Sequence, residues 1–415
     1  MKSTYTFPLI IIAIFFFIFG FVTWLNSVLI PYLKIACQLE TNLQAYLVTF
    51  AFYLSYFVMA LPSAWLLNKI GFRGGMSVGL LVMAVGALVF IPAAQSRLYE
   101  LFLVGLFVQG AGLALLQTAV NPYVAVLGSP ESAAQRISIM GIFNKVAGIL
   151  SPIILGAIVF EDMEQIEKKL QILKNQEKIL FLDNLASKVI LPYATMAFVL
   201  LILALMIRFA KLPKVEEENK ELSETTEHQN IWAYPQLVLG VFALFLYVGV
   251  EVIAGDTIIG YGVFWGYSQE EAKFFTSLTL GGMLLGYILA IFTIPRYISQ
   301  QKSLAISAAL GLIFSLLILL TKGLLSVLFV ALLGLANSVM WPAIFPLAIT
   351  NLGKFTKTGS AMLIMAIVGG ALLSTLYALL SDIPSVGLQN AYFLLIPSYL
   401  FIYYYATWGY KKIKW

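Results

Sequence analysis

Twelve times along this chain, roughly twenty residues pass with almost no charge. The runs fall at about 7–33, 43–67, 74–94, 98–126, 137–159, 189–210, 236–260, 272–295, 303–321, 324–349, 358–380 and 389–409. Each is long enough to cross a hydrocarbon layer as a helix. A backbone in hydrocarbon must satisfy its own hydrogen bonds, so a chain built this way folds as a bundle of spanning helices. Only 11% of the 415 residues are charged, against about a quarter in soluble domains. The expected fold class is therefore all-α membrane protein with twelve transmembrane helices. The apolar run after Lys2 continues to about Leu33 without a small-residue cleavage site, and reads as the first span rather than a signal peptide.

An even number of spans puts both termini on one side. With the N-terminus inside, Lys69, Arg73, Arg136, Arg208, Arg296, Lys302, Lys354, Lys357 and the basic C-terminus share its side. The short loops opposite hold only Lys34, Arg97, Lys273 and Lys322. This asymmetry predicts cytoplasmic termini, and it accounts for the net charge of +5 without a nucleic-acid partner. The single cysteine, Cys37, and the single histidine, His228, leave no material for a disulfide framework, a Cys–His metal site or histidine catalysis. No phosphate-binding loop, nucleotide fingerprint or nucleophilic triad is present, so neither an enzyme nor direct ATP-driven transport is expected.

Two loops are long. Residues 161–188 lie outside and place Met163, Ile166, Leu170 and Leu173 at helical spacing, which predicts an amphipathic surface helix. Residues 211–231 are cytoplasmic and rich in glutamate, as a solvated linker is. The division expected is a six-helix bundle over 1–210 carrying the 161–188 insert, a linker over 211–231, and a second six-helix bundle over 232–415.

The halves read as repeats. The stretch Gly112–Gly128 carries Gln117, Asn121 and Pro122, and Gly334–Gly353 repeats it with Asn337, Trp341 and Pro342 at matching places. Gln117 and Asn121 are four residues apart and so share a helix face. Gly20 and its neighbours match Gly249 and its neighbours, which sets Asn26 on Gly255 and Ser27 on Asp256. Ile139 and Met140 match Ile364 and Met365. Repeated halves are how many transporters are built, with the substrate at mid-membrane between them.

Charges inside the spans are few: Lys145, Glu251 and Asp256. Each is expensive there and is a candidate for function; the plainer reading is a buried ion pair. Glu251 and Asp256 are five residues apart, about 140° on a regular helix, and face different neighbours unless the glycine-rich segment between Gly249 and Gly262 is unwound. The neutral polar set is Asn26, Gln117, Asn121, Asn144 and Asn337, with Trp24 and Trp341. Amides donate and accept, which suits vicinal hydroxyls, and indole faces pack on the C–H face of a sugar ring. The plainer reading of each is helix–helix bonding. Taken together they predict an uncharged polyhydroxyl solute and no organic cofactor.

The stretches Gln117–Gly128, Phe245–Glu251, Asn337–Phe345 and Met365–Ala371 resemble the major facilitator superfamily. Within it the chain is similar to the fucose:proton symporter family, which includes bacterial glucose/galactose transporters. The resemblance implies two pseudo-symmetric six-helix bundles rocking about a central cavity, a sugar as substrate, a monomer, and a bacterial inner membrane. It implies substrate contacts from Trp24, Asn26, Gln117, Asn121, Asn144, Glu251, Asn337 and Trp341. Proton-coupled members carry an acid where this chain has Ser27, and the fucose branch a glutamate where it has Gln117. Gln117 thus tilts the substrate from fucose toward a glucose- or galactose-like hexose, with an amino sugar also open. Coupling to H⁺ or Na⁺ then falls to Asp256, Glu251 and Lys145, with Asp256 as an acid moved from the first helix to the seventh. A rival is a uniporter in which Lys145 stands in for the coupling cation. Two further alternatives are a drug or metabolite exporter and a non-transporting sugar sensor.

Overall fold

The structure, a computed structural model, describes residues 6–40, 42–126, 129–159, 166, 169–170, 172–209, 230–272 and 274–412. Among these there are helices and no strands. The fifteen helices of seven residues or more are α1 (Thr6–Ala36), α2 (Asn42–Ser96), α3 (Tyr99–Val126), α4 (Ala133–Val159), α5 (Asn175–Ser187), α6 (Ile190–Phe209), α7 (Pro235–Asp256), α8 (Ile258–Phe264), α9 (Phe275–Thr293), α10 (Gln300–Leu320), α11 (Gly323–Asn337), α12 (Met340–Ile349), α13 (Thr356–Met365), α14 (Gly369–Ser381) and α15 (Leu395–Thr407).

Ten segments of the described residues are long and apolar enough to cross a bilayer, against twelve runs in the sequence. Two runs account for the difference. The 50-residue segment Leu47–Ser96 passes through Gly71 at φ 70° and ψ 172°, a left-handed conformation that glycine takes at little cost. The chain turns there, so α2 carries two spans. The last run, 389–409, is the other one not among the ten; it is interrupted by tyrosines such as Tyr392, Tyr399, Tyr403, Tyr404 and Tyr405, which lower its apolarity.

Helices in lipid gain nothing from burying apolar surface against each other, so contact depends on small residues that let backbones approach. Gly20 of α1 lies so close to α4 that a Cβ there would sit 1.9 Å from the Asn144 carbonyl oxygen. The matching glycine of the second half, Gly249 of α7, packs in the same way against Leu373 of α14. First span on fifth, seventh span on eleventh: the repeat read from sequence is a repeat in packing too. Gly334 of α11 against the Thr279 carbonyl, and Gly369 against the Phe245 carbonyl, are equally close. The halves meet where α4 packs on α9 and where α13 packs on α2.

Several spans are interrupted. α7 gives way to α8 at Thr257, and α11 to α12 at Ser338–Val339. A 3₁₀ turn, Ala366–Val368, separates α13 from α14. At the first of these breaks, hydroxyls bond nearby backbone carbonyls. The Thr257 hydroxyl donates to the Ile253 carbonyl at 2.6 Å and sits 2.7 Å from the Tyr392 hydroxyl, and Thr276 donates to the Gly255 carbonyl at 3.0 Å.

The insert between α4 and α6 forms the helix α5, which lies C-terminal to the predicted apolar face, and Leu173 falls in the non-helical stretch before it. Its buried Leu182, Leu185 and Ala186 seat it on α1 and α2. Asp183 pairs with Arg97 at 2.9 Å, and the Tyr32 hydroxyl donates to the Leu185 carbonyl. Met163 and residues 211–229 of the linker lie outside the described residues.

Replacing Gly20 by Val should displace α1 from α4 and lower stability by about 1–3 kcal/mol. Gly281, where an added Cβ would meet nothing within 4 Å, should accept Ala with no measurable change. Thermal unfolding of the two variants in detergent compares them directly.

Candidate functional site

A cavity of about 110 Å³ opens between the halves. Its first-half wall comes from α1 (Trp24), α2 (Tyr53, Tyr56), α3 (Gln117, Asn121) and α4 (Asn144, Lys145). Its second-half wall comes from α7 (Tyr247, Glu251), α9 (Tyr287) and α12 (Trp341). The mixture of indole and phenol faces with amides is the lining that a small polar organic solute requires.

Gln117 and Asn121 share a face of α3, as their four-residue spacing demands, and both reach the cavity. The Gln117 side-chain nitrogen donates to the Tyr56 hydroxyl at 3.2 Å. Asn121 is 1% exposed, and its side-chain oxygen has no hydrogen-bond partner. A buried acceptor left open costs free energy. Asn144 joins the same wall one turn from Gly141 and Gly148, whose missing side chains admit Tyr287 and Trp24.

Charge in the cavity is closed on itself. The Lys145 ammonium donates to Glu251 Oε1 at 2.7 Å, linking α4 of one half to α7 of the other. The two side chains are 6% and 14% exposed, so the bond is charge-assisted and poorly screened. The Trp24 ring lies 4.9 Å from the same ammonium, within cation–π range. Trp24 is itself held by Leu280, Met283 and Tyr287 of α9.

Two expected residues stand apart. Asn337 does not line the cavity: it ends α11, is fully buried, and accepts from the Tyr399 hydroxyl at 2.8 Å. Trp341, beyond the break at Ser338–Val339, does reach the cavity; α3 has no such break. Asp256 also lies off the lining. α7 stays helical through Asp256 and breaks just after it, so the two carboxylates keep their 140° separation and Glu251 alone meets Lys145. Asn26 and Ser27 lie on α1, but their side chains fall outside the described residues.

The tyrosines are the part that sequence reasoning missed. Tyr53 and Tyr56 are three apart on α2, and Tyr247 and Glu251 four apart on α7, so each pair shares a face. A phenol in a spanning helix needs a partner for its hydroxyl. That was the available signal, diluted by the 21 tyrosines in the chain.

The chain matches the family described as Major Facilitator Superfamily over residues 12–377. It is 35% identical to a glucose/galactose transporter of Brucella abortus over 99% of this chain and 96% of that one. It is 30% identical to the L-fucose-proton symporter of Escherichia coli over 92% of this chain and 88% of that one. Its fold superposes on the crystal structure of the transporter FucP in the outward conformation with a TM-score of 0.82 at 28% identity, covering 97% and 99% of the two chains.

Removing one partner of the inter-bundle pair strands the other charge in a low-dielectric wall. Lys145→Met or Glu251→Gln should each cost about 3–5 kcal/mol, while the double variant loses less than either single change. A double-mutant cycle of unfolding in detergent measures this, and strictly additive losses would mean that the pair contributes nothing.

Proposed function

The chain belongs to the major facilitator superfamily, and on that premise we propose that it takes up a neutral monosaccharide, a glucose- or galactose-like hexose, by alternating access. The observation that carries this reading is the cavity itself. Its amides offer donors and acceptors to hydroxyls, its indoles offer faces to a sugar ring, and its one buried cation is already paired. A charged solute would have to break that pair; a neutral one need not. The relatives named for glucose, galactose and fucose transport support the same substrate class. Within it, Gln117 favours a hexose over fucose, because an amide replaces the fucose branch's carboxylate.

In this reading Gln117, Asn121 and Asn144 bind sugar hydroxyls, and Trp341 or Trp24 packs on the ring. Bundles 1–210 and 232–415 rock about the cavity, joined by the 211–231 linker. Two inter-bundle contacts support an outward-facing state, as both lie at span ends assigned to the cytoplasm. Gln135 donates to the Ile291 carbonyl at 2.7 Å, and the Lys357 ammonium lies 5.7 Å from the Phe72 ring. The protein acts as a monomer in a bacterial inner membrane with both termini cytoplasmic.

Coupling is assigned to Asp256. Lys145 neutralises Glu251, and no described side chain forms an ion pair with Asp256, which leaves one carboxylate beside the cavity to take up a cation. Uniport, with Lys145 as the permanent cation, is the second reading that the same ion pair favours. An exporter of bulky drugs is disfavoured by a small cavity whose polar groups are suited to hydroxyls.

Proteoliposomes loaded with a panel of sugars test the proposal by counterflow. Hexose counterflow is expected, and its absence for every sugar would overturn transport of this class. Asp256→Asn should abolish accumulation against a gradient while exchange persists. Unchanged accumulation in that variant would remove Asp256 from coupling, and wild-type uptake indifferent to ionophores and to Na⁺ would select uniport.

A further inference from the structure

We infer that the Lys145 ammonium is a tethered cation, holding on Glu251 the place where a coupling ion would otherwise sit. The inference rests on the reading of the chain as a sugar transporter and goes beyond it: of two carboxylates near the cavity, one has been withdrawn from ion coupling by a covalently attached positive charge.

The geometry is that of an occupied ion site. The ammonium touches one Glu251 oxygen at 2.7 Å and faces the Trp24 ring on another side. Trp24 cannot retreat easily, because Gly148 and Gly255 press on its ring edges closely enough that a Cβ at either would lie within 3.0 Å. The titratable groups facing Glu251 are Lys145 from α4, Tyr53 from α2, Tyr247 and Asp256 from α7, Tyr287 from α9 and Tyr399 from α15. Lys145 is the one cation among them. Were it gone, Glu251 would be a largely buried carboxylate without a cation, on a cavity also lined by Tyr53, Tyr247 and Tyr287. Such a charge is not tolerated unpaired, and oxygens around a carboxylate suit a proton or a hard monovalent cation.

The test reads cation dependence, which a purely structural ion pair would not move. Galactose counterflow is measured in proteoliposomes with equal cation on both sides, varying Na⁺ against choline in one arm and pH in the other. Lys145→Gln should gain a dependence of at least about fivefold beyond the wild-type ratio in one of the arms, which also tells Na⁺ from H⁺. Lys145→Gln/Glu251→Gln should lose that increment. A wild-type ratio in the single variant, or an increment retained in the double, overturns the inference. Melting of detergent-solubilised Lys145→Gln reads the same site without sugar: its melting temperature should rise with Na⁺ or with acid more than the wild type's does. An equal response overturns the inference too. If Lys145→Gln does not fold, Asp256→Asn decides, since its counterflow should be indifferent to both cations, and a residual dependence would put Glu251 back in coupling. Loss of counterflow in the wild type would instead sink the transport reading and leave the melting result to stand by itself.

Discussion

Hydrocarbon offers no hydrogen bonds, and every feature of this structure answers that fact. The backbone closes on itself in helices, and the helices approach through glycines such as Gly20 and Gly249 because apolar burial drives nothing between them. Polar atoms that remain are collected where protein surrounds them. Lys145, Glu251, Gln117, Asn121 and Asn144 all lie on one cavity between the halves. A polar side chain facing lipid would cost several kcal/mol; facing this cavity it avoids that cost.

The same constraint governs the helix breaks. Interrupting a helix in lipid exposes carbonyls, and at the first break here hydroxyls bond nearby carbonyls, such as Thr276 on the Gly255 carbonyl. The break after Asp256 lies directly beside that carboxylate, and the break after Asn337 directly before Trp341. Irregular backbone at membrane depth is tolerated where it borders a cavity, and discontinuous helices are the usual way in which transporters build a site. The inter-bundle ion pair adds a second consequence. A neutral cavity admits a neutral solute without stripping a charge of its partner, so the Lys145–Glu251 bond and the amide lining argue for the same substrate class.

Much of this was legible in the chain. Apolar runs of bilayer length fixed the fold class, because length against hydrocarbon thickness is a one-dimensional quantity. The four-residue spacing of Gln117 and Asn121 put both on one wall, because helical periodicity is local. The match of Gly20 with Gly249 foretold equivalent helix pairs. Asn337 shows where the reasoning stopped. It aligns with Gln117 in the repeat, yet it accepts from Tyr399 and stays off the cavity, beside a two-residue interruption that α3 lacks. A break of that kind depends on what lies beside the helix, which spacing does not record.

Sequence by itself determined that this is a spanning helical bundle of two repeated halves with a handful of polar residues too costly to be idle. Tertiary structure decided which of those residues meet. Lys145 and Glu251 are 106 positions apart in different halves, and nothing along the chain says that the ammonium reaches Glu251 rather than Asp256. Rotation about α7 and the packing of α4 against it settle the choice, since a salt bridge forms by distance in space while a sequence reports only order along the chain.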